Sequence, residues 1–484
     1  MGRHQERPIL ANDRTKEFLL ELEKVLASKH RKLWKLLFHL SKQEVSNKQG
    51  KTAWSSDFSL LLYGREVLYG EETNSKRCHI PMEQSDKKIQ QSSNVSVFAK
   101  TTFRGQGQLF GIKQIDRRSH MYIIGKTGTG KSTLLETMIL QDLYVGRGFA
   151  VLDPHGDLVA KLKTLVPDSR QSEVIYFDPT NHGEVLGFNP LETITPKKRS
   201  LAASGLLEAF KKLWADSWGP RLEHILRNAL LALLDFEEAT LADVLRLFND
   251  NAFRKRVVER SSNEQVRDFW QKEYEKYPAR FQIEAIAPIQ NKVGAFLTDP
   301  VLSRILTQPK SAFKLRQVMD EGKILLVNLS KGQLGEDSSS LLGSLLVSRI
   351  GLAAMSRADI PEEDRKDFYV YMDEFHSFTT LSLTTMLSEL RKYHVGLILA
   401  NQYMAQLDEK IQNAILGNVG TIISFRLGLP DAEVLSKEFY PEFSATDLMN
   451  LPNQYIYLKL MIDGQVSKPF SAQTIQITKN ETVS

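Results

Sequence analysis

The chain has 484 residues, of which 42% are hydrophobic, 25% charged and 9% aromatic, an ordinary globular composition that allows roughly two to four domains and a large core. The single cysteine, Cys78, excludes an internal disulfide framework and fits a reducing compartment. The net charge is +5, and residues 1–50 account for it with 11 Lys and Arg against 6 Asp and Glu.

At the amino end, MGRHQERPIL has no apolar signal core, which argues against secretion. LWKLLFHL and SLLLYGREVLYG are too short or too interrupted for the roughly 18 apolar residues of a membrane span. A cytoplasmic chain is expected, held at the inner membrane only through partners. KHRKLWKLLFHLSK, with Lys29, Arg31, Lys32, Lys35 and Lys42, is predicted as a basic amphipathic helix. It suits either a solvated packing face or a helix for a partner, a nucleic acid or a membrane surface. The polar, Ser- and Gln-rich stretch 74–96 reads as a long loop or linker, and residues 1–100 as a small accessory region.

From about residue 101, apolar runs alternate with helical patterns. The runs are MYIIG (121–125), GFAVLD (148–153), VIYFD (174–178), KILLVNL (323–329), DFYVYMD (367–373), VGLILAN (395–401) and TIISFRL (421–427). Such near-continuous stretches suit strands buried on both faces of a parallel sheet with helical crossovers. The expected fold class is α/β, with a mainly parallel sheet over 101–199 and 311–484. Between them, residues 200–310 carry only helical periodicity, so an inserted all-helical domain is predicted there, with Trp214, Trp218 and Trp270 in its core.

The first run leads into Gly125-Lys-Thr-Gly-Thr-Gly130-Lys131-Ser132, which matches G-x-x-x-x-G-K-[ST] between a strand and a helix. Glycines let consecutive backbone N–H groups turn toward phosphates, and the helix amino terminus adds positive potential. Lys131 would reach the β- and γ-phosphates, and the Ser132 hydroxyl would complete a Mg²⁺ shell. Asp153-Pro-His155-Gly closes the next strand as a turn, with Asp157 available as a helix cap.

Asp373-Glu374 end a buried strand. An Asp there can bind Mg²⁺, and the adjacent Glu can polarise an attacking water, a division that favours hydrolysis over transfer. In LSELRKYHVGLILANQ (387–402), Gln402 follows a strand and would lie beside Asp373 on the carboxyl edge, where an amide senses the γ-phosphate. Arg391 is a candidate inter-subunit finger, or a cation closing a helix; Arg426 in TIISFRLG is the rival finger.

Taken together, GFAVLDPHGDL, MDEFHSF, ELRKYHVGLILANQ and AILGNVGTIISFRLGLPDAEVLSKEF resemble the HerA–FtsK superfamily of P-loop motors, and more closely the cytoplasmic part of type IV secretion coupling ATPases, over most of 101–470. The resemblance implies a RecA-like P-loop NTPase binding ATP through Gly125, Lys126, Thr127, Gly128, Thr129, Gly130, Lys131, Ser132 and Thr133. It implies Mg²⁺ at Ser132 and Asp373, catalysis at Glu374, a sensor at Gln402 and a finger at Arg391. It further implies a homo-hexamer that pulls DNA through a pore by backbone contacts, with relaxase, accessory transfer proteins or secretion-channel components as partners. The alternatives are a protein-exporting motor, a nucleotide-switched scaffold and a HerA-like DNA-processing translocase. The family's amino-terminal membrane helices are not visible in this sequence.

Overall fold

A computed structural model describes residues 94–102, 107–181, 183, 186–192 and 195–476. The basic helix expected over 29–42 and nearly all of the region 1–100 lie outside them. The linker expected over 74–96 overlaps a strand at its end: Val95 and Ser96 already belong to β1.

Thirteen strands are formed among the described residues. Seven match the apolar runs: β3 (Met121–Ile124), β4 (Gly148–Asp153), β5 (Val174–Phe177), β6 (Ile324–Asn328), β7 (Phe368–Met372), β8 (Val395–Asn401) and β9 (Thr421–Ser424). They pair in parallel in the order β9-β3-β8-β7-β4-β6-β5. Four more, β1 (Val95–Thr101), β2 (Leu109–Lys113), β10 (Tyr455–Lys459) and β13 (Phe470–Thr474), extend the sheet beyond β9 in antiparallel pairs to eleven strands. A small ribbon, β11 (Met461–Ile462) with β12 (Gln465–Val466), stands apart.

Strand alternation sends successive side chains to two cores. Met121 and Ile123 of β3 join Phe149 and Val151 of β4 on one face; Tyr122, Ile124, Ala150 and Leu152 enter the core on the other. The first face is covered by α1 (Lys131–Val145), through Leu134, Leu135, Met138 and Ile139, and by α2 (Asp157–Leu165), through Val159 and Leu162. Gly146 ends α1 in the left-handed conformation that a Cβ would penalise.

The second face carries the helices that follow β5. These are α3 (Arg199–Leu213), α4 (Pro220–Leu234), α5 (Ala242–Asn249), α6 (Asn251–Arg260), α7 (Ala279–Thr298) and α8 (Pro300–Leu306). No strand occurs between β5 and β6 among the described residues. Local chemistry starts these helices: the Asp250 side chain accepts from Phe253 N, and Asp299 accepts from Val301 N and Leu302 N ahead of Pro300. Trp270 is fully buried, as expected. Trp214 and Trp218 are only half-buried; Trp214 stacks on Trp218, Phe210 and Phe296.

The long helix α9 runs over Glu336–Ser356. By length and composition alone it qualifies as a membrane span, but 83% of its apolar window is buried. It packs against α3, with Ser348 pressed so close to Gly205 that no Cβ fits there. The chain then forms α10 (Ser382–Glu389), α11 (Glu409–Asn418), α12 (Leu429–Glu438) and α13 (Ala445–Met449).

Candidate active site

The carboxyl ends of β3, β7, β8 and β9 meet at one edge of the sheet. The segment 125–130 leaves β3 there and enters α1. Gly128 and Gly130 have φ of 75° and 121°, values open to glycine but not to a side chain. Lys126, Thr127, Gly128 and Ser132 are exposed. Thr129 Oγ1 donates to Lys126 O at 2.7 Å, and Lys131 Nζ donates to Gly125 O at 2.6 Å. Burial lowers the Lys131 ammonium below its ordinary value, and the charges of Glu374 and Asp373 oppose that shift.

Two elements that the sequence reading did not assign support this loop. Phe425, just past β9, packs so tightly that a Cβ on Gly125 would lie 2.5 Å from its own Cβ. Gln454, ahead of β10, donates its N–H to Thr129 O at 2.8 Å. Both come from far along the chain, so no local pattern announces them.

Asp373 and Glu374 follow β7. Ser132 Oγ donates to Asp373 Oδ2 at 3.1 Å, and Glu374 N donates to Asp373 Oδ1 at 3.0 Å. Burial raises the Asp373 carboxyl to about 6, with repulsion from Glu374 and Asp153 adding to it and Lys131 and Ser132 opposing. Glu374 itself sits in the left-handed region at φ 43°, a conformation that costs about 1–3 kcal/mol and persists only where its surroundings dictate it. Burial would raise its carboxyl, but the neighbouring His376 and Gln402 side chains and the charge of Lys131 outweigh it and hold Glu374 below the usual range.

Gln402, just past β8, stands near Glu374 across the parallel pairing of β7 with β8. His376 is a neighbour that the sequence reading left without a role. Its Nδ1 lies 3.4 Å from Glu374 Oε2, and its Nε2 lies 3.3 Å from Gln406 Nε2. Gln406 Oε1 accepts from Tyr403 N, so its amide nitrogen faces the ring and can only donate. The ring proton then belongs on Nδ1, toward Glu374. The available signal was His two residues after Glu.

Asp153, not Asp157, supplies the cap of α2. Its carboxylate accepts from His155 N at 2.8 Å and Val159 N at 3.2 Å, while Asp157 is the first helical residue after a left-handed Gly156. Arg391 is exposed on a turn just before β8, whose first residue pairs with Phe368 at the start of β7. It is thus a strand length, roughly 15–20 Å, from the acid pair of its own chain. Arg426 sits beside its own phosphate loop: its carbonyl accepts from Lys126 N, and its guanidinium donates to Asn453 Oδ1 at 2.9 Å.

The profile of the family described as "Type IV secretion-system coupling protein DNA-binding domain" matches residues 109–436. The chain belongs to this coupling-protein family. No curated protein matches the coupling-protein chain in a full-length search. Solved structures do. Plasmid coupling protein TrwB in complex with a non-hydrolysable ATP analogue has a TM-score of 0.57 at 14% identity, covering 85% of this chain and 97% of that one. TrwB in complex with ADP and Mg²⁺ has a TM-score of 0.55 at 16% identity, covering 78% and 89%. VirB4 of Thermoanaerobacter pseudethanolicus has a TM-score of 0.52 at 15% identity, covering 80% and 97%. These likenesses carry the RecA-like fold of a type IV coupling-protein-like P-loop ATPase.

Proposed function

We propose that this coupling-protein chain is an ATP-hydrolysing ring motor that translocates DNA in conjugative or type IV secretion transfer. The observation that carries the reading is the meeting of Ser132 Oγ and Asp373 Oδ2 at 3.1 Å beside the phosphate loop, with Glu374 next in sequence. The nucleotide-binding set is Gly125 to Thr133, with ATP as substrate, as TrwB was solved with an ATP analogue.

Two hard oxygens on one loop and one strand tip fit Mg²⁺, and Ser132 and Asp373 would hold it. When bound, that ion offsets charge on the phosphates. Lys131 swings from Gly125 O to the phosphates. Glu374, ionised and oriented by His376 and Gln402, accepts a proton from the attacking water. Gln402 senses the γ-phosphate from the same edge of the sheet. Arg391, remote from its own site, serves that of a neighbouring protomer, whereas Arg426 acts beside its own loop. The helical stretch 200–310 is an inserted domain facing cargo, and residues 1–100 are an accessory region.

The DNA contacts are to backbone phosphates, without sequence preference. Relaxase, accessory transfer proteins and channel components are the expected partners, at a cytoplasmic station beside the inner membrane. ATP hydrolysis measured with single-stranded DNA, with duplex DNA and with neither tests the reading. Stimulation by DNA is expected. Stimulation only by unfolded polypeptide would replace it with protein export, and tight ATP binding without turnover would replace it with a scaffold.

A further inference from the structure

The segment after Glu374 is gripped from the opposite core by side chains of two helices. On α3, Lys212 Nζ donates to His376 O at 2.6 Å, and Glu208 Oε2 accepts from Ser382 N at 2.6 Å. On α9, Ser340 Oγ donates to Ser377 O at 2.8 Å, and Gly343 lies against the Phe378 ring, where a Cβ would approach within 2.2 Å. Glu208 and Lys212 stand four residues apart on one helix face, the spacing at which a Glu and a Lys pair with each other. Here each reaches across to the loop instead. Among the described residues no carboxylate lies in ion-pair range of Lys212. Burial, with Lys331 nearby, pushes its ammonium down to about 7. A lysine kept there spends its charge on one backbone carbonyl, two residues from Glu374.

We propose that Glu208 and Lys212 are positioning residues: through them α3 holds the 375–382 segment so that Glu374 keeps its left-handed backbone and its carboxylate faces the attacking water. The helix that opens the helical stretch thereby bears directly on hydrolysis. A shift of α3, which also packs on α4, displaces His376 O and Ser382 N together and loosens the carboxylate. This rests on the reading of Glu374 as the general base.

The test uses the full chain with single-stranded DNA, measuring the Kd of a fluorescent ATP analogue with Mg²⁺, the kcat of hydrolysis and amide hydrogen exchange. Lys212→Met and Glu208→Ala are each expected to lower kcat about tenfold while changing Kd less than about threefold, because a misdirected base costs turnover and not binding. Exchange should quicken over 375–382 and stay unchanged in α1. A kcat within about twofold of the parent in both variants, or a Kd that rises in step with the fall in kcat, would overturn the proposal. Should Lys212→Met fail to fold, Glu208→Ala decides by the same criterion. Glu374→Gln is measured alongside: if it retains full turnover, the general-base reading has failed, which is a different result from a failed clamp.

Discussion

The surroundings of the two adjacent acids shift them in opposite directions. Asp373, raised to about 6, holds its proton below that value; Glu374, kept low, stays ionised. If Asp373 holds Mg²⁺, it does so as the anion, so Mg²⁺-dependent ATP affinity is expected to fall as pH drops through about 6. Near that pH, binding should release a proton, which calorimetry in buffers of different ionisation heat would detect; its absence would contradict the environment assigned to Asp373. The folded value lies above the unfolded one, so the folded state favours the neutral acid. The penalty is absent below the ordinary carboxyl range and grows as pH rises to about 6. Asp373→Asn should therefore raise stability at pH 7 by about 1–3 kcal/mol, and not at pH 4, in denaturant titrations. Lys131→Ala should lose ATP binding, whereas Glu374→Gln should bind ATP and not hydrolyse it; equal loss of binding in both would contradict the two roles.

Among the elements, the parallel strands were legible because each is buried on both faces and reads as a continuous apolar run. The antiparallel strands β1, β2, β10 and β13 were not, since their partly exposed residues dilute the signal; Tyr455, Tyr457 and Lys459 of β10 are only half-buried. Helix α9 was missed for the opposite reason. Its serines and glycines, including Ser339, Ser344 and Gly343, pack inside, so it shows no polar face. That tightness makes a prediction: Gly343→Ala must push the Phe378 ring aside and should cost about 1–3 kcal/mol, seen as a lower denaturation midpoint. An unchanged midpoint would mean that the loop after Glu374 yields freely.

For the whole molecule, the separation of Arg391 from its own acid pair has a consequence for assembly. If it completes a neighbour's site, Arg391→Ala should keep its ATP affinity and lose turnover by about 10³-fold or more. Mixing it with the Glu374→Gln chain should then restore some hydrolysis, because one junction pairs an intact base with an intact arginine. No recovery at any mixing ratio would exclude an arginine acting between chains. The chain should also run as an oligomer in size-exclusion chromatography with ATP and DNA. A monomer hydrolysing at full rate would refute the ring.

Sequence alone determined the α/β class, the phosphate loop and the acid pair, because each is written within a short window: an apolar run, a glycine spacing, two carboxylates at a strand end. It also put Gln402 beside Asp373 on the carboxyl edge, since adjacent parallel strands bring their ends together. Only the tertiary structure decided which face α9 and the helical stretch cover, that Phe425 and Gln454 support the loop, and that Glu208 and Lys212 grip the segment after Glu374. Those contacts, unlike that of His376 with Glu374, join residues over a hundred positions apart, and a pairing made only by chain folding leaves no periodicity to read.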